Sequence, residues 1–212
     1  MGTVHLVRHG QASWGAADYD QLSALGAEQA SALGTSWEAT EWAPTDAMAG
    51  GMKRHAQTAI ATIDAYGGDG YDVDAGWDEY DHLALARAHD PASLAEDAKA
   101  FQASLNLAIT AWMAGDGGAG ESFEQFRSRV LTSFESVVSQ ATSGRSVAVF
   151  TSGGPIALVV SHLLAGDDSL FQQLNDVVVN ASVTTIIVGR SQPRLLSFNE
   201  HAHLPRDMVT YR

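Results

Sequence analysis

The sequence predicts an α/β domain with a mostly parallel central sheet. Two patterns carry that expectation. Short apolar stretches of strand length alternate with longer stretches of helical period. Several of the strand-like stretches run through a glycine- or arginine-bearing turn directly into a helix, the order expected of parallel strands joined by crossover helices. The 212 residues are 45% hydrophobic, enough for one sizeable core, and show no internal repeat or linker. Residues 1–212 are therefore expected to form a single domain.

The elements follow in order. Val4 to Val7 is a short apolar strand ending at Arg8-His9-Gly10. Ser23 is a suitable N-cap for a helix with Leu25, Ala30, Leu33 and Trp37 on or near one face. Thr45 to Ala49 is a second strand closed by Gly50-Gly51, and a helix from about Lys53 to Tyr66 places Ala56, Ala59, Ile60 and Ile63 at helical spacing. After the turn Gly67-Gly68-Asp69-Gly70, residues 71–90 mix aromatics and acids and read as an irregular excursion. Pro91 to about Ala114 reads as a helix with proline in its first turn, followed by a glycine-rich loop over 115–120. Ser122 with Gln125 forms a capping-box pattern, and Phe123, Phe126, Val130, Phe134, Val137 and Val138 line the helix it starts. Ser146 to Thr151 is strand-like and ends at Ser152-Gly153-Gly154-Pro155, with a helix from Ile156 to Leu164. Val183 to Val188 and Leu195 to Phe198 are two further strands, joined through Gly189 and Pro193.

Composition narrows the function. Twelve basic against 25 acidic residues give a net charge of −13, so nucleic acid is not expected as a partner. The absence of cysteine excludes disulfides, thiolate metal sites and cysteine nucleophiles. No apolar run reaches membrane-spanning length, and the start of the chain lacks the features of a signal peptide or a myristoylation site. A cytoplasmic protein without membrane association is the expectation.

In such sheets ligands sit beyond the carboxyl ends of the strands. Three strand ends here carry chemistry: Arg8-His9-Gly10, Gly50 to His55 with Arg54, and Ser152-Gly153-Gly154. Two arginines and a histidine meeting at one place would make a phosphate pocket, since the guanidinium fork matches phosphate oxygens. Gly153-Gly154 can add backbone N–H groups at a helix start. An Asp72-Val73-Asp74 pair has the spacing of aspartate-based phosphatases but lacks a preceding apolar strand. His201 and His203, with His82 or His89, fix no third metal ligand by spacing, and no metal is expected.

The ordered set of motifs resembles the histidine phosphatase superfamily, also called the phosphoglycerate mutase-like family. Leu6-Val7-Arg8-His9-Gly10-Gln11 matches its Arg-His-Gly strand end. Leu22 to Ala30 resembles its Leu-Ser/Thr-x-x-Gly-x-x-Gln-Ala helix start, and Arg54-His55-Ala56-Gln57-Thr58-Ala59 resembles its Arg-Ala-x-Gln-Thr-Ala helix. Gly120-Glu121-Ser122 followed by Arg129-Val130, and the terminal Phe198 to Leu204, are similar to further family segments. The resemblance implies a three-layer sandwich and a phosphomonoesterase of the histidine acid type. It would act on a small phosphorylated molecule without cofactor or metal. His9 would become a phosphohistidine, Arg8 and Arg54 would neutralise the phosphoryl oxygens, and Glu79 would be the acid, with Asp81 the alternate. Gln11, Ser13, Ser152 and Gly153 are the further expected phosphate- or substrate-side residues, with specificity carried by residues 11–22 and 77–112. A homodimer is one expectation for the assembly. Mutase action is the less favoured outcome, on the argument that mutases tend to be longer.

The sequence departs from the family at the strand end where a second catalytic histidine normally stands, which here is Ser152. Serine can donate a hydrogen bond but carries no charge, and losing one well-placed donor can cost roughly 10²–10³ in rate. His82 is a candidate substitute. The alternative to an enzyme is a phospho-ligand-binding or regulatory protein with weakened catalysis. Met52 with Gly50-Gly51 also replaces the family's Ser-Pro-Leu lead into the second arginine.

Overall fold

A computed structural model of the chain describes residues 1–13, 20–92, 98–116 and 120–211. Among them, six strands form one sheet in the order β3-β2-β4-β1-β5-β6. The strands are β1 (Gly2–Arg8), β2 (Asp46–Ala49), β3 (Asp72–Val73), β4 (Ser146–Thr151), β5 (Val183–Val188) and β6 (Arg194–Glu200). The pairs β3–β2, β2–β4 and β4–β1 are parallel; β5 runs antiparallel to both β1 and β6. The helices are α1 (Ala24–Ala39), α2 (Lys53–Tyr66), α3 (His82–His89), α4 (Ala98–Met113), α5 (Phe123–Gln140), α6 (Gly153–Ala165) and α7 (Phe171–Asn175).

The two-residue alternation of the strands divides the core. Val7, Ala49, Ala148 and Phe150 face one way and pack with Leu33, Trp37, Ala59 and Ile63 of α1 and α2. Val4, Leu6, Met48, Val147 and Val149 face the other way and pack against α3 to α6. The result is the expected three layers. On the second face Tyr80, Trp112, Phe123, Phe126 and Phe171 form a buried aromatic cluster with several edge-on ring contacts. Emptying its centre by Phe126→Ala would cost about 3–5 kcal/mol.

Local sequence explains the helix starts. The Ser23 hydroxyl accepts from Gly26 N, and Ser122 with Gln125 completes both halves of the capping box.

Four expectations are corrected. Residues 71–90 are not irregular: they hold edge strand β3, a 3₁₀ turn over Ala75–Trp77, and α3, capped by the Asp81 carboxylate accepting from Ala84 N. Eight residues are too short for a periodic signal, so the cap was the readable feature. Pro91 lies in a separate 3₁₀ turn rather than in α4; residues 93–97, included in the expected helix, lie outside the described residues. α6 begins at Gly153, three residues before its apolar run, and α7 was not anticipated. Finally, Ile60 is about half exposed, because α2 turns Arg54, His55, Thr58 and Thr62 inward instead.

His5 illustrates the cost of polar groups in this core. Its Nδ1 meets Thr185 Oγ1 at 3.2 Å, and burial lowers its pKa from 6.5 to about 4, Glu200 opposing weakly. The unfolded chain therefore takes up this proton first as the pH falls. The contribution of neutral His5 is present above pH 6.5 and is lost between pH 6.5 and 4. A depression of that size corresponds to about 3 kcal/mol. Denaturant titrations at pH 7 and pH 4.5 should show a smaller acid loss of stability in His5→Asn than in the parent.

Candidate active site

The site begins with two strand ends. The parallel register pairs Arg8 with Thr151, so His9 and Ser152 leave the sheet side by side. The backbone of His9 is held on both flanks: its N–H donates to Thr151 O at 2.8 Å, and its carbonyl accepts from Asn180 Nδ2 and Ala181 N. The His9 ring is fixed by Nδ1 against the Gly10 carbonyl at 2.7 Å. A carbonyl can only accept, so Nδ1 carries the proton and the Nε2 lone pair is left for chemistry.

The motif amides and hydroxyls turn out to be ties. Gly10 N donates to Thr58 Oγ1, Leu22 N to Gln57 Oε1 and Gln11 N to Gln29 Oε1. These bonds fasten the segment between β1 and α1 to α1 and α2. Arg54, in the first turn of α2, is thereby brought to His9, with its guanidinium paired to Asp20 at 2.8 Å. Gln29 Nε2 also donates to Met208 O and Thr210 Oγ1, drawing the C-terminal segment alongside. Arg8 donates to the carbonyls of Val178 and Tyr211.

Glu79 enters from the opposite side, carried by the segment that follows the 3₁₀ turn. Thr151 Oγ1 donates to Trp77 O, and Arg129 donates to the carbonyls of Gly76 and Asp78. The same guanidinium bridges both Glu121 oxygens and lies 4.9 Å from the Phe126 ring centre. The Gly120-Glu121-Ser122…Arg129 motif therefore fixes the backbone that presents Glu79. The carboxylate accepts from Gly154 N at 3.0 Å and from Tyr80 N at 3.2 Å. Gly154 is required there, because a Cβ at that position would stand 2.1 Å from Glu79 Oε1.

Arg8, His9, Arg54, Glu79, His82 and Gly153 line one cavity of about 330 Å³. Its outer wall includes Tyr80, Phe101, Gln102, Leu105, Asn106, Asn175, Asp176 and Tyr211. Asp81 is not among the lining residues; its carboxylate caps α3. Gln11, Ser13 and the fully buried Ser152 do not line it either. The Gln11 amide oxygen accepts from Ser23, and the Ser13 hydroxyl donates to Leu22 O, so both hold the β1–α1 connection rather than face the cavity. Residues 14–19, part of the expected specificity segment, lie outside the described residues. Asp74 caps the 3₁₀ turn and Asp72 lies on edge strand β3, away from the cavity. Among the described residues, no group of three or more His, Asp or Glu is placed to hold a metal ion.

Asn175, Asp176 and Tyr211 of the cavity wall were not anticipated, and neither was His55. His55 is fully buried beside Arg54, with its Nε2 2.7 Å from Ser152 Oγ and its ring centre 5.8 Å from that of His9. The signal was present, since a histidine stands where the family pattern has alanine.

Burial shifts the ionisable groups in opposite senses. It drives the pKa of His9 well below the imidazole range, reinforced by the charges of Arg54, Arg8 and His55. It pushes the Glu79 carboxyl up, against weaker opposing pulls from the Gly154 N–H and the two arginines. The same cavity thus holds a neutral imidazole and a carboxyl disposed to keep its proton.

The model of the histidine phosphatase superfamily (branch 1) matches residues 4–201, and the chain belongs to that family. Solved structures share the fold. A mutant phosphoserine phosphatase from Entamoeba histolytica in complex with phosphoserine is 18% identical, with TM-score 0.70, covering 97% of this chain and all of that one. A phosphoglycerate mutase from Bacillus anthracis is 20% identical, with TM-score 0.65, covering 95% and 94%. A mycobacterial glucosyl-3-phosphoglycerate phosphatase is 19% identical, with TM-score 0.64, covering 95% and 100%. No curated protein matches the chain by sequence. The mutase is covered almost to its full length, so chain length does not separate mutase from phosphatase here.

Replacing Arg129 by methionine would keep most of its packing but remove its bonds to Glu121 and to the two carbonyls. We expect a loss of about 2–4 kcal/mol in chemical denaturation, since several charge-assisted bonds go at once.

Proposed function

We propose that the protein is a phosphomonoesterase that acts on a small phosphorylated molecule through a phosphohistidine at His9. The observation that carries this reading is the convergence of Arg8, His9, Arg54 and Glu79 on one cavity. His9 Nε2 attacks phosphorus as the ester oxygen leaves, forming the N–P bond. Arg8 and Arg54 stabilise the equatorial oxygens while charge redistributes. Glu79 gives its proton to the leaving oxygen and then takes one from the water that hydrolyses the phosphohistidine, returning phosphate and free His9. No metal or cofactor is assigned a role.

Family membership supports the chemistry. The phosphatase relatives supply a substrate class, small phosphorylated acids such as phosphoserine or a glycosylated phosphoglycerate. The outer wall fits a leaving group with an apolar portion and hydrogen-bonding groups, given Phe101 and Leu105 beside Gln102, Asn106 and Asn175.

Release of phosphate from a generic aryl phosphate tests the reading. We expect His9→Ala to lose at least about 10³-fold, and acid-labile labelling at His9 in the parent. Hydrolysis no greater than in His9→Ala would favour the phospho-ligand-binding alternative that Ser152 raised.

The pH profile follows from the two shifts. Activity needs His9 neutral, which holds above its depressed pKa, and Glu79 protonated, which holds below its raised pKa. The acid limb of kcat/KM should therefore lie below the ordinary imidazole range and the alkaline limb above the ordinary glutamate range, and Glu79→Gln should remove the part of the alkaline limb due to the enzyme.

Gly154→Ala should displace Glu79 and lower kcat by roughly 10- to 100-fold with the fold retained, as judged by kinetics alongside circular dichroism.

A further inference from the structure

The start of α2 is held by a carboxylate that the reaction described above does not use. Asp20, in the connection between β1 and α1, sends both oxygens to this helix. Its Oδ1 accepts from Arg54 Nη1 at 2.8 Å, and its Oδ2 accepts from Lys53 N at 2.9 Å. The Arg54 side chain is 6% exposed and that of Asp20 34%, so the guanidinium end of the pair is shielded from water. Screening by solvent and salt is weaker there than between two open surface groups.

The helix start explains why the carboxylate sits where it does. Met52 stands at the N-cap of α2 and makes no side-chain capping bond, so the first N–H groups of the helix need acceptors from elsewhere. A carboxylate at that end also meets the positive pole of the helix dipole. One group therefore caps the helix and grips the arginine that the helix delivers. The β1–α1 connection is tied to α2 twice more, through Leu22 N on Gln57 Oε1 and Gly10 N on Thr58 Oγ1. Neither bond involves Arg54, so Asp20 is a fixed point against which the guanidinium is held. A guanidinium carries its N–H donors in one rigid plane at the end of a long, rotamer-rich stem, and a bond at Nη1 restricts how that plane can turn.

We propose that Asp20 is a positioning residue for the phosphoryl transfer. It holds the Arg54 guanidinium in place before a phosphorylated molecule arrives, so that the ordering of this side chain is not left to the reaction itself. Arg54, which lines the cavity with His9, is the contacting group, and Asp20 acts through it. The β1–α1 connection thereby has a task other than the specificity expected of it. The role rests on the phosphatase reading of the same site.

A double-mutant cycle between Asp20 and Arg54 tests the role. The readouts are hydrolysis of a generic aryl phosphate and binding of orthovanadate measured by calorimetry. Asp20→Asn keeps an acceptor for Lys53 N and removes the charge that pairs with Arg54, so it should melt within about 3 °C of the parent. Asp20→Ser, which caps equally well, is the second variant and should behave alike. We expect Asp20→Asn to lower kcat by about 10- to 30-fold and to weaken vanadate binding by a similar factor, the scale of a misplaced contact. In an Arg54→Ala background the same substitution should change either readout by no more than about twofold. A purely structural role would lower the melting temperature and act equally in both backgrounds. Losses that multiply in the double variant would overturn the proposal. So would an effect of Asp20→Asn of less than about fivefold, or tighter vanadate binding, which would make the carboxylate a competitor of the anion. If the parent shows no His9-dependent hydrolysis, the phosphatase reading fails, and weaker vanadate binding that disappears in Arg54→Ala still upholds Asp20. If hydrolysis depends on His9 and Asp20→Asn matches the parent, the positioning role alone fails.

Discussion

Everything at the site depends on how β1 and β4 pair. Two parallel strands in this register end level with each other, so Arg8-His9 and Thr151-Ser152 leave the sheet together. Parallel strands also deliver both following helices to the same side of the strand ends, which is why such sheets bind ligands there. β2 ends nearby on the far side of β4, and its short connection brings the first turn of α2, with Arg54 and His55, into the same place. A one-residue slip of β1 against β4 would swap Leu6 and Val7 between the two core layers, so the buried apolar pattern enforces the register that the chemistry uses.

Burial then gives the collected groups their character. A chain of net charge −13 concentrates two arginines beside the buried imidazole of His9 at one cavity. Desolvation penalises whichever form is charged, so a histidine and a carboxyl are both driven toward neutrality. Their pKa values move in opposite directions, which sets an acceptor and a donor in one pocket.

Much of this was legible in the sequence, and the limits have physical causes. The alternation of short apolar strands with amphipathic helices gave the layers, and Ser23 and Ser122 announced their helices because capping is a local interaction. The strand end at Arg8-His9 and the arginine at position 54 could be placed because topology alone brings them together. Gln11 and Ser13 were misjudged, because whether a polar side chain faces a cavity or ties down a neighbouring turn depends on contacts made by Leu22 and Ser23. Gln57, Thr58 and Gln29 are the converse case, motif residues whose work is to receive backbone N–H groups. Asp81 and Glu79 are close in sequence, yet one caps a helix and the other enters the cavity, a choice made by the carbonyl contacts of Arg129. His55 was visible only as an odd residue in a familiar pattern, since its meaning lies in a hydrogen bond across 97 positions.

The C-terminal segment bears on the cavity in a further way. Tyr211 forms part of the wall, its carbonyl receives Arg8, and Thr210 is tied to Asn180, whose amide in turn supports the His9 carbonyl. No strand or long helix anchors these residues, which are held by a handful of polar bonds at the edge of the molecule. Proteolytic trimming of the tail would thus take away a wall and an acceptor for Arg8 while leaving the sheet untouched. A sample that looks folded by every spectroscopic measure could then have lost its ligand, and mass spectrometry of the intact chain would be the measurement that tells the two apart.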